Sequence, residues 1–328
     1  MAVKIGIMSF AHMHAWGYTS YVNEIPEALL VGIADDNSDR GREMADRFET
    51  NYFASYDALL EQDIDAVIIA AENARHKELT LMAAAAGKHV LCEKPIATTV
   101  EDARETIEAC RRQDVKLMTS FPCRYSPAVL RVKELVGGGS IGKIQAIKGT
   151  NRGRMPGGWF IELDKSGGGA VIDHTVHVTD LMRWLMASEP VEVYAEISNL
   201  MHHGNYDDVG MLTITFDNGV FSTLDTSWSC LESFPIWGDV TMTIMGTEGV
   251  ILMDMLAQRF TLYADNATRA NWVYYGDNVD LVMVRDFAVC IAEDRPVSIT
   301  GEDGLKALEV ALAAYKSADT GMPVRLPL

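Results

Sequence analysis

From residue 3 to about residue 120, short apolar β-rich runs alternate with longer stretches of helical period. The runs at 3–8, 29–34, 66–70, 89–91 and 116–119 predict strands, and the segments 14–24, 38–48, 56–62, 76–86 and 100–113 predict helices. Nearly continuous apolar strands separated by helices imply βαβ units and a parallel sheet covered on both faces. Gly87 stands where the fourth helix would end, and 98–102 carries the threonine and acidic residues of a helix start. The economical reading is one doubly wound α/β domain over 1–122.

Beyond residue 120 the pattern changes. Helical segments at 126–135 and 171–186 are interleaved with alternating runs at 144–149, 191–197, 211–216, 222–229, 240–245 and 250–253, and a last helix is expected over 304–317. Asp217-Asn218-Gly219 and Thr247-Glu248-Gly249 read as hairpin turns, so this second α/β domain, 123–328, should hold a large open, mostly antiparallel sheet.

Length and charge narrow the possibilities. The 328 residues suffice for two domains with their own cores. Lys and Arg total 28 against 46 Asp and Glu, a net charge of −18 spread along the chain, which repels phosphate backbones and anionic lipid. Neither nucleic acid nor a membrane surface is an expected partner. Five scattered cysteines without a CxxC pair read as reduced thiols. The chain enters a strand pattern at once, with no leader-like start and no apolar run long enough to span a bilayer, so the cytoplasm is the expected location.

The turn after the first strand is where a dinucleotide site would be announced by G-x-G-x-x-G, and here those slots hold Ser9, Ala11 and His14. What remains is context: a buried strand enters, a helix leaves, and the small Ala11, flanked by Phe10 and His12, lets amides near a phosphate. The second strand ends in Asp35-Asp36, some 26 residues after Ser9, near the spacing at which a carboxylate meets the adenosine ribose. Such a carboxylate repels a 2′-phosphate, so NAD is preferred over NADP. Arg40 stands ready for a 2′-phosphate in the opposite case, and the bland alternative is a solvated βα turn.

Two segments carry more: Gly87-Lys88-His89-Val90-Leu91-Cys92-Glu93-Lys94-Pro95, and the run from Gly167-Gly168-Gly169 through Asp173, His174, Thr175 and His177 to Asp180. With Asn73, His76, Arg124-Tyr125-Ser126-Pro127 and the closing Ala314-Tyr315-Lys316-Ser317, they resemble the glucose-fructose oxidoreductase, inositol dehydrogenase and MocA (Gfo/Idh/MocA) family over nearly the whole chain. The resemblance implies an N-terminal Rossmann domain and a C-terminal substrate-binding and oligomerisation domain. It implies cofactor contacts from Ser9, Phe10, Ala11, His12, Asp35, Asp36, Arg40, Ala71, Asn73, His76, Glu93 and Lys94. It further implies that Lys94, Asp173 and His177 are the catalytic residues, with Lys94 on the reacting hydroxyl, His177 exchanging the proton and Asp173 orienting substrate or bases. His177 is the expected principal acid/base, because imidazole titrates near neutrality. Thr175 replaces the family's usual glycine, and Pro122-Cys123 an Asn-Arg type of pair.

Arg124, His174 and the loop 151–160, with Arg152, Arg154 and Trp159, complete the expected substrate contacts; the loop would clamp an anionic or glycosyl group, or else serve as a subunit contact or solvated loop. The glycine triplet is expected to let backbone and ligand come close. His12, His14, His174, His202 and His203 raise the question of a metal, but their spacing matches no metal motif and none is expected. The expected activity is hydride transfer between NAD(P) and a secondary alcohol of a sugar, sugar acid, cyclitol or related polyol. The alternatives are an enzyme that retains NAD through transient oxidation, then cleavage or epimerisation, and a non-catalytic dinucleotide sensor. The family packs open sheets between subunits, which implies a homodimer or homotetramer.

Overall fold

The computed structural model of the protein describes residues 2–265 and 270–328. Its first stretch runs β1 (Val3–Met8), α1 (His14–Glu24), β2 (Ala28–Ala34), α2 (Ser38–Arg47), β3 (Asn51–Phe53), α3 (Tyr56–Leu60), β4 (Ala66–Ile69), α4 (His76–Ala85), β5 (His89–Cys92), α5 (Val100–Arg112) and β6 (Leu117–Thr119). The six strands pair in parallel in the order β3-β2-β1-β4-β5-β6. The order reverses between β1 and β4, and ligands of such sheets bind beyond the carboxyl ends of the strands at that switch point. Local chemistry sets the helix ends. The side chains of Asn37, Ser55 and Thr99 accept the amides of Arg40, Ala58 and Asp102, and Gly87 takes φ +69 just past α4.

The second stretch runs α6 (Pro127–Gly137), β7 (Ile144–Thr150), α7 (Leu163–Ser166), α8 (Ala170–Met186), β8 (Pro190–Ser198), β9 (Val209–Phe216), β10 (Phe221–Asp225), β11 (Thr241–Gly246), β12 (Val250–Asp254), β13 (Arg259–Leu262) and β14 (Asn271–Tyr274). Then follow α9 (Val279–Ala292), α10 (Gly301–Thr320) and β15 (Val324–Arg325). Seven strands form a sheet in the order β12-β11-β7-β10-β9-β8-β15, antiparallel at every pair except β7 with β10. Both expected hairpins are present, and the run expected over 222–229 stops at Asp225. One face of this sheet is closed by α8 and α10: Val171, Val178 and Leu181 of α8 and Val310 and Ala313 of α10 pack with Ile147, Ile214, Leu224 and Ile244 of the strands.

The chain divides into two compact units, Met1–Pro122 with Asn278–Leu305, and Cys123–Asp277 with Lys306–Leu328. The division at 122/123 expected from sequence is therefore joined by two more, at 277/278 and 305/306, and residues 278–305, expected in the second domain, belong with the first unit. The reason is α9, whose Met283, Val284 and Phe287 are buried and which packs on α1 and β1. All five cysteines are buried and unbridged. No described helix is long and apolar enough to cross a membrane.

Candidate active site

In the first unit, the segments after β1, β4 and β5 meet at the carboxyl edge of the sheet. Ser9 adopts φ +73, the backbone region glycine would fill most easily, and its amide bonds to Ala34 O at 2.8 Å. Four of the amides that follow are bonded within the protein. Phe10 donates to Asp35 Oδ2 at 2.7 Å, Ala11 to Ser9 Oγ at 3.1 Å, His12 to Ala70 O at 3.0 Å, and His14 to His12 Nδ1 at 3.1 Å. The expectation that Ala11 opens the turn's amides to a phosphate is thus corrected: the strained turn is held by its own donors.

Asp35 is buried, and besides Phe10 it accepts from the Asn37 amide and takes the Arg40 guanidinium in a two-point pair, Nε to Oδ2 at 2.8 Å and Nη2 to Oδ1 at 2.7 Å. The neighbouring Asp36 is the more exposed carboxylate, paired with Arg40 at 3.4 Å and with Arg75, whose guanidinium also lies over the Tyr56 ring. His76 is fully buried, its Nδ1 2.7 Å from Pro95 O and its Nε2 3.2 Å from Ala71 O. Burial outweighs these hydrogen bonds and lowers its pKa, so the ring is neutral. Instead of facing a ligand as expected, His76 ties the segments after β4 and β5 together; Asn73 is buried beside it and Ala71 is enclosed.

Glu93 lies at the centre of a buried network. His14 Nδ1 approaches its Oε1 at 2.8 Å, the Tyr18 hydroxyl donates to the same oxygen, and the Lys94 amide donates to Oε2 at 2.9 Å. Tyr18 also meets Ser120 Oγ at 2.9 Å. Burial alone would raise the Glu93 pKa, yet the His12 and His14 charges and the His14 hydrogen bond bring it well below the usual carboxylate range. Burial and the Glu93 charge push the Tyr18 phenol well up, so it stays a donor. Nitrogen and oxygen atoms of His12, His14 and Glu93 lie within 4.8 Å of one another, a spacing open to a metal ion, although the Nδ1 atoms of both histidines already take part in the hydrogen bonds just given. Lys94 follows with only 5% of its surface exposed. A turn with one residue already in the glycine region, an outward carboxylate after β2 and a buried Glu93-Lys94 pair at the switch-point edge together fit a dinucleotide.

In the second unit, α8 carries Asp173 and His177 one turn apart. Trp228 Nε1 donates to Asp173 Oδ2 at 3.2 Å, and His174 Nε2 lies 3.2 Å from the same oxygen. The start of α8 is capped by distant residues. Asp207 accepts from Gly169 N at 2.8 Å and from Val171 N at 2.7 Å, and the Tyr315 hydroxyl accepts from Gly169 and Ile172, each at 3.2 Å, while donating to Asp207. A side chain on Gly168 would strike the Tyr315 hydroxyl, and one on Gly169 the Asp207 main chain. The glycine triplet therefore admits this cap, not a ligand as expected.

The three arginines assigned to substrate are engaged internally. Arg124 is buried in a two-point pair with Asp180, Arg152 forms another with Asp239, and Arg154 donates to Phe234 O. Arg124 and Arg152 are thus held by carboxylates, whereas Arg154 bonds only the main-chain carbonyls of Glu232 and Phe234. Trp159 stacks on Phe160 with ring centroids 3.9 Å apart. Sequence reasoning did not single out Tyr18, Ser120, Asp207 or Trp228; of these, only Tyr18, one helical turn from His14, carried a spacing signal.

A profile described as the oxidoreductase family with NAD-binding Rossmann fold matches residues 4–121, and one for the GFO/IDH/MocA C-terminal domain matches residues 129–252. The chain is 30% identical to an uncharacterized oxidoreductase, YrbE, of Bacillus subtilis (strain 168), over 93% of this chain and 91% of that one. It is 31% identical to 1,5-anhydro-D-fructose reductase of Ensifer adhaerens over 81% of each. Levoglucosan dehydrogenase, solved with NADH and levoglucosan, superposes with a TM-score of 0.87 at 26% identity, over 100% of both chains.

Proposed function

The chain belongs to the Gfo/Idh/MocA family of oxidoreductases, and from that premise we propose that it moves a hydride between NAD and a secondary alcohol of a neutral sugar or cyclitol. The observation that carries this reading is the buried Lys94, fixed through its amide by Glu93 at the switch-point end of β5. The nicotinamide supplies the hydride acceptor; the protein supplies orientation and proton traffic. Lys94 hydrogen-bonds the reacting hydroxyl, and His177 takes its proton, with Asp173 set by Trp228 and His174 to hold a second hydroxyl. A neutral substrate is supported by two of the arginines: Arg124 and Arg152 are paired with Asp180 and Asp239, while Arg154, bound only to main-chain carbonyls, keeps an uncompensated charge. The related reductase and dehydrogenase are named for 1,5-anhydro-D-fructose and levoglucosan, both uncharged.

The test is reduced-nicotinamide absorbance with NAD across a panel of sugars, sugar acids and inositols. Neutral polyols are expected to yield NADH, and His177→Ala and Lys94→Ala are each expected to lower kcat by about a hundredfold or more. Turnover confined to sugar acids would overturn the neutral-substrate assignment, and full kcat in His177→Ala the acid/base one. Hydride that never appears as free NADH, but returns to product from labelled substrate, would favour the cofactor-retaining alternative. A sensor without turnover gains no support from the ionised Glu93 and the enclosed Lys94.

A further inference from the structure

We infer that His14 is the principal phosphate ligand of the turn: its imidazole, oriented by Glu93 through Nδ1, presents Nε2–H to the dinucleotide's diphosphate in place of the backbone amides. The inference rests on the dinucleotide reading and deepens it. Three observations on the first unit lead to it. The amides of Ser9, Phe10, Ala11, His12 and His14 are all bonded to protein acceptors, so the cradle that a glycine turn makes from backbone is reduced to the amide of Met13 at the start of α1. His14 occupies the third glycine slot, at the first position of α1, and keeps 38% of its side chain exposed while its Nδ1 is fixed on the fully buried Glu93. The fixed nitrogen defines the other: with Nδ1 facing Glu93, the accessible edge of the ring is the Nε2 edge.

The surroundings decide the charge on that edge. His14 is faced by His12 of the turn, Tyr18 one turn along α1, Glu93 and Lys94 after β5, and Asp280 at the start of α9. Burial works against protonation and so does Lys94, but the Glu93 charge and hydrogen bond, helped by Asp280, prevail and raise the pKa above the ordinary 6.5. The ring therefore holds its proton to higher pH than an ordinary imidazole, and when protonated it is a charge-assisted donor where an ordinary turn offers neutral amides. Because the raised group is charged below its pKa and neutral above it, diphosphate affinity must be full at low pH and fall as pH rises through that value.

Calorimetric titration of the full chain with NADH, ADP-ribose and nicotinamide riboside, from about pH 6 to about pH 9, tests this directly. Wild type is expected to lose roughly tenfold in NADH and ADP-ribose affinity across that range. His14→Gln, which keeps a neutral donor, should bind both weakly at low pH with a flat profile, while Tyr18→Phe, which spares the His14–Glu93 pair, should keep the slope. Should His14→Ala fail to fold, His14→Gln carries the test, its melting temperature checked alongside. His14→Gln binding NADH within about twofold of wild type, or keeping the slope, would overturn the inference. So would a loss confined to NADH and nicotinamide riboside, which would place His14 on the nicotinamide side. A wild type that binds neither NADH nor ADP-ribose would instead defeat the dinucleotide reading itself, an outcome distinct from wild-type binding that the variant leaves unchanged.

Discussion

A carboxylate that already accepts two amide hydrogens and both arms of a guanidinium has little left to offer a ribose, and Asp35 is so placed by Phe10, Asn37 and Arg40. The adjacent Asp36 is the more exposed of the two, 44% at its side chain, and it stands between Arg40 and Arg75. On the dinucleotide reading proposed above, Asp36 is the residue expected to discriminate between the two nicotinamide cofactors. Its charge repels a 2′-phosphate and neutralises two guanidinium groups that would otherwise attract one. Asp36→Ala is accordingly expected to shift the NAD-to-NADP ratio of kcat/KM toward NADP by about tenfold or more, measured with one polyol under both cofactors. An unchanged ratio would mean that neither arginine reaches the 2′ position. The sequence showed an acidic pair at the right distance from Ser9, but not which member faces outward. That choice depends on the Phe10 amide and the Arg40 side chain, which only the folded β1–β2 edge brings to Asp35. His76 is a similar case: its position after β4 was legible, whereas its enclosure between Ala71 O and Pro95 O was not.

Helix α8 shows how an element bearing candidate catalytic residues is held from outside. Its first amides, at Gly169 to Ile172, have no acceptor on a preceding turn, and Asp207 and Tyr315 satisfy them from remote parts of the second unit. A carboxylate at a helix N-terminus also opposes the helix dipole favourably. Asp207→Ala is expected to cost about 2–3 kcal/mol of unfolding free energy and Tyr315→Phe about 1–2 kcal/mol, both read from denaturant midpoints. Asp207→Asn, retaining one acceptor, should fall between wild type and Asp207→Ala. Loss below about 0.5 kcal/mol for Asp207→Ala would show that water replaces the cap without cost. The periodicity that revealed α8 failed for α9, and the reason is physical. Its sequence, Val279 to Ala292, is apolar on several sides because it is packed on α1 and β1, so no amphipathic stripe marks it. The strands β3, β13, β14 and β15, of two to four residues, are too short to show alternation.

At the scale of the whole chain, the sheet of the second unit has one face closed by helices and one left open. Register places Leu252, Thr243, Lys148, Thr223, Thr213 and Tyr194 in one row across the open face, and Val250, Met245, Ala146, Phe221 and Thr215 in the next. Leu252 is 79% exposed and Phe221 54%, and Met211 and Val250 are exposed as well. Threonines between apolar side chains make a flat surface that two copies of the chain can share about a twofold axis, and a stable interface of about 1,200–2,000 Å² lies within the reach of a seven-stranded sheet. The chain's charge of −18 sets the salt dependence of such an assembly. Like-charged protomers repel at low ionic strength, and screening removes that term while leaving apolar burial intact. Light scattering after size exclusion is therefore expected to give a dimer or tetramer whose dissociation constant falls as salt is raised. Phe221→Glu combined with Leu252→Glu should yield a monomer whose thermal transition stays cooperative, since both side chains lie outside the core formed by Ile147, Ile214 and Leu224. A wild type that is monomeric at every salt concentration, or a double variant that assembles as well as wild type, would show that this face is not the interface.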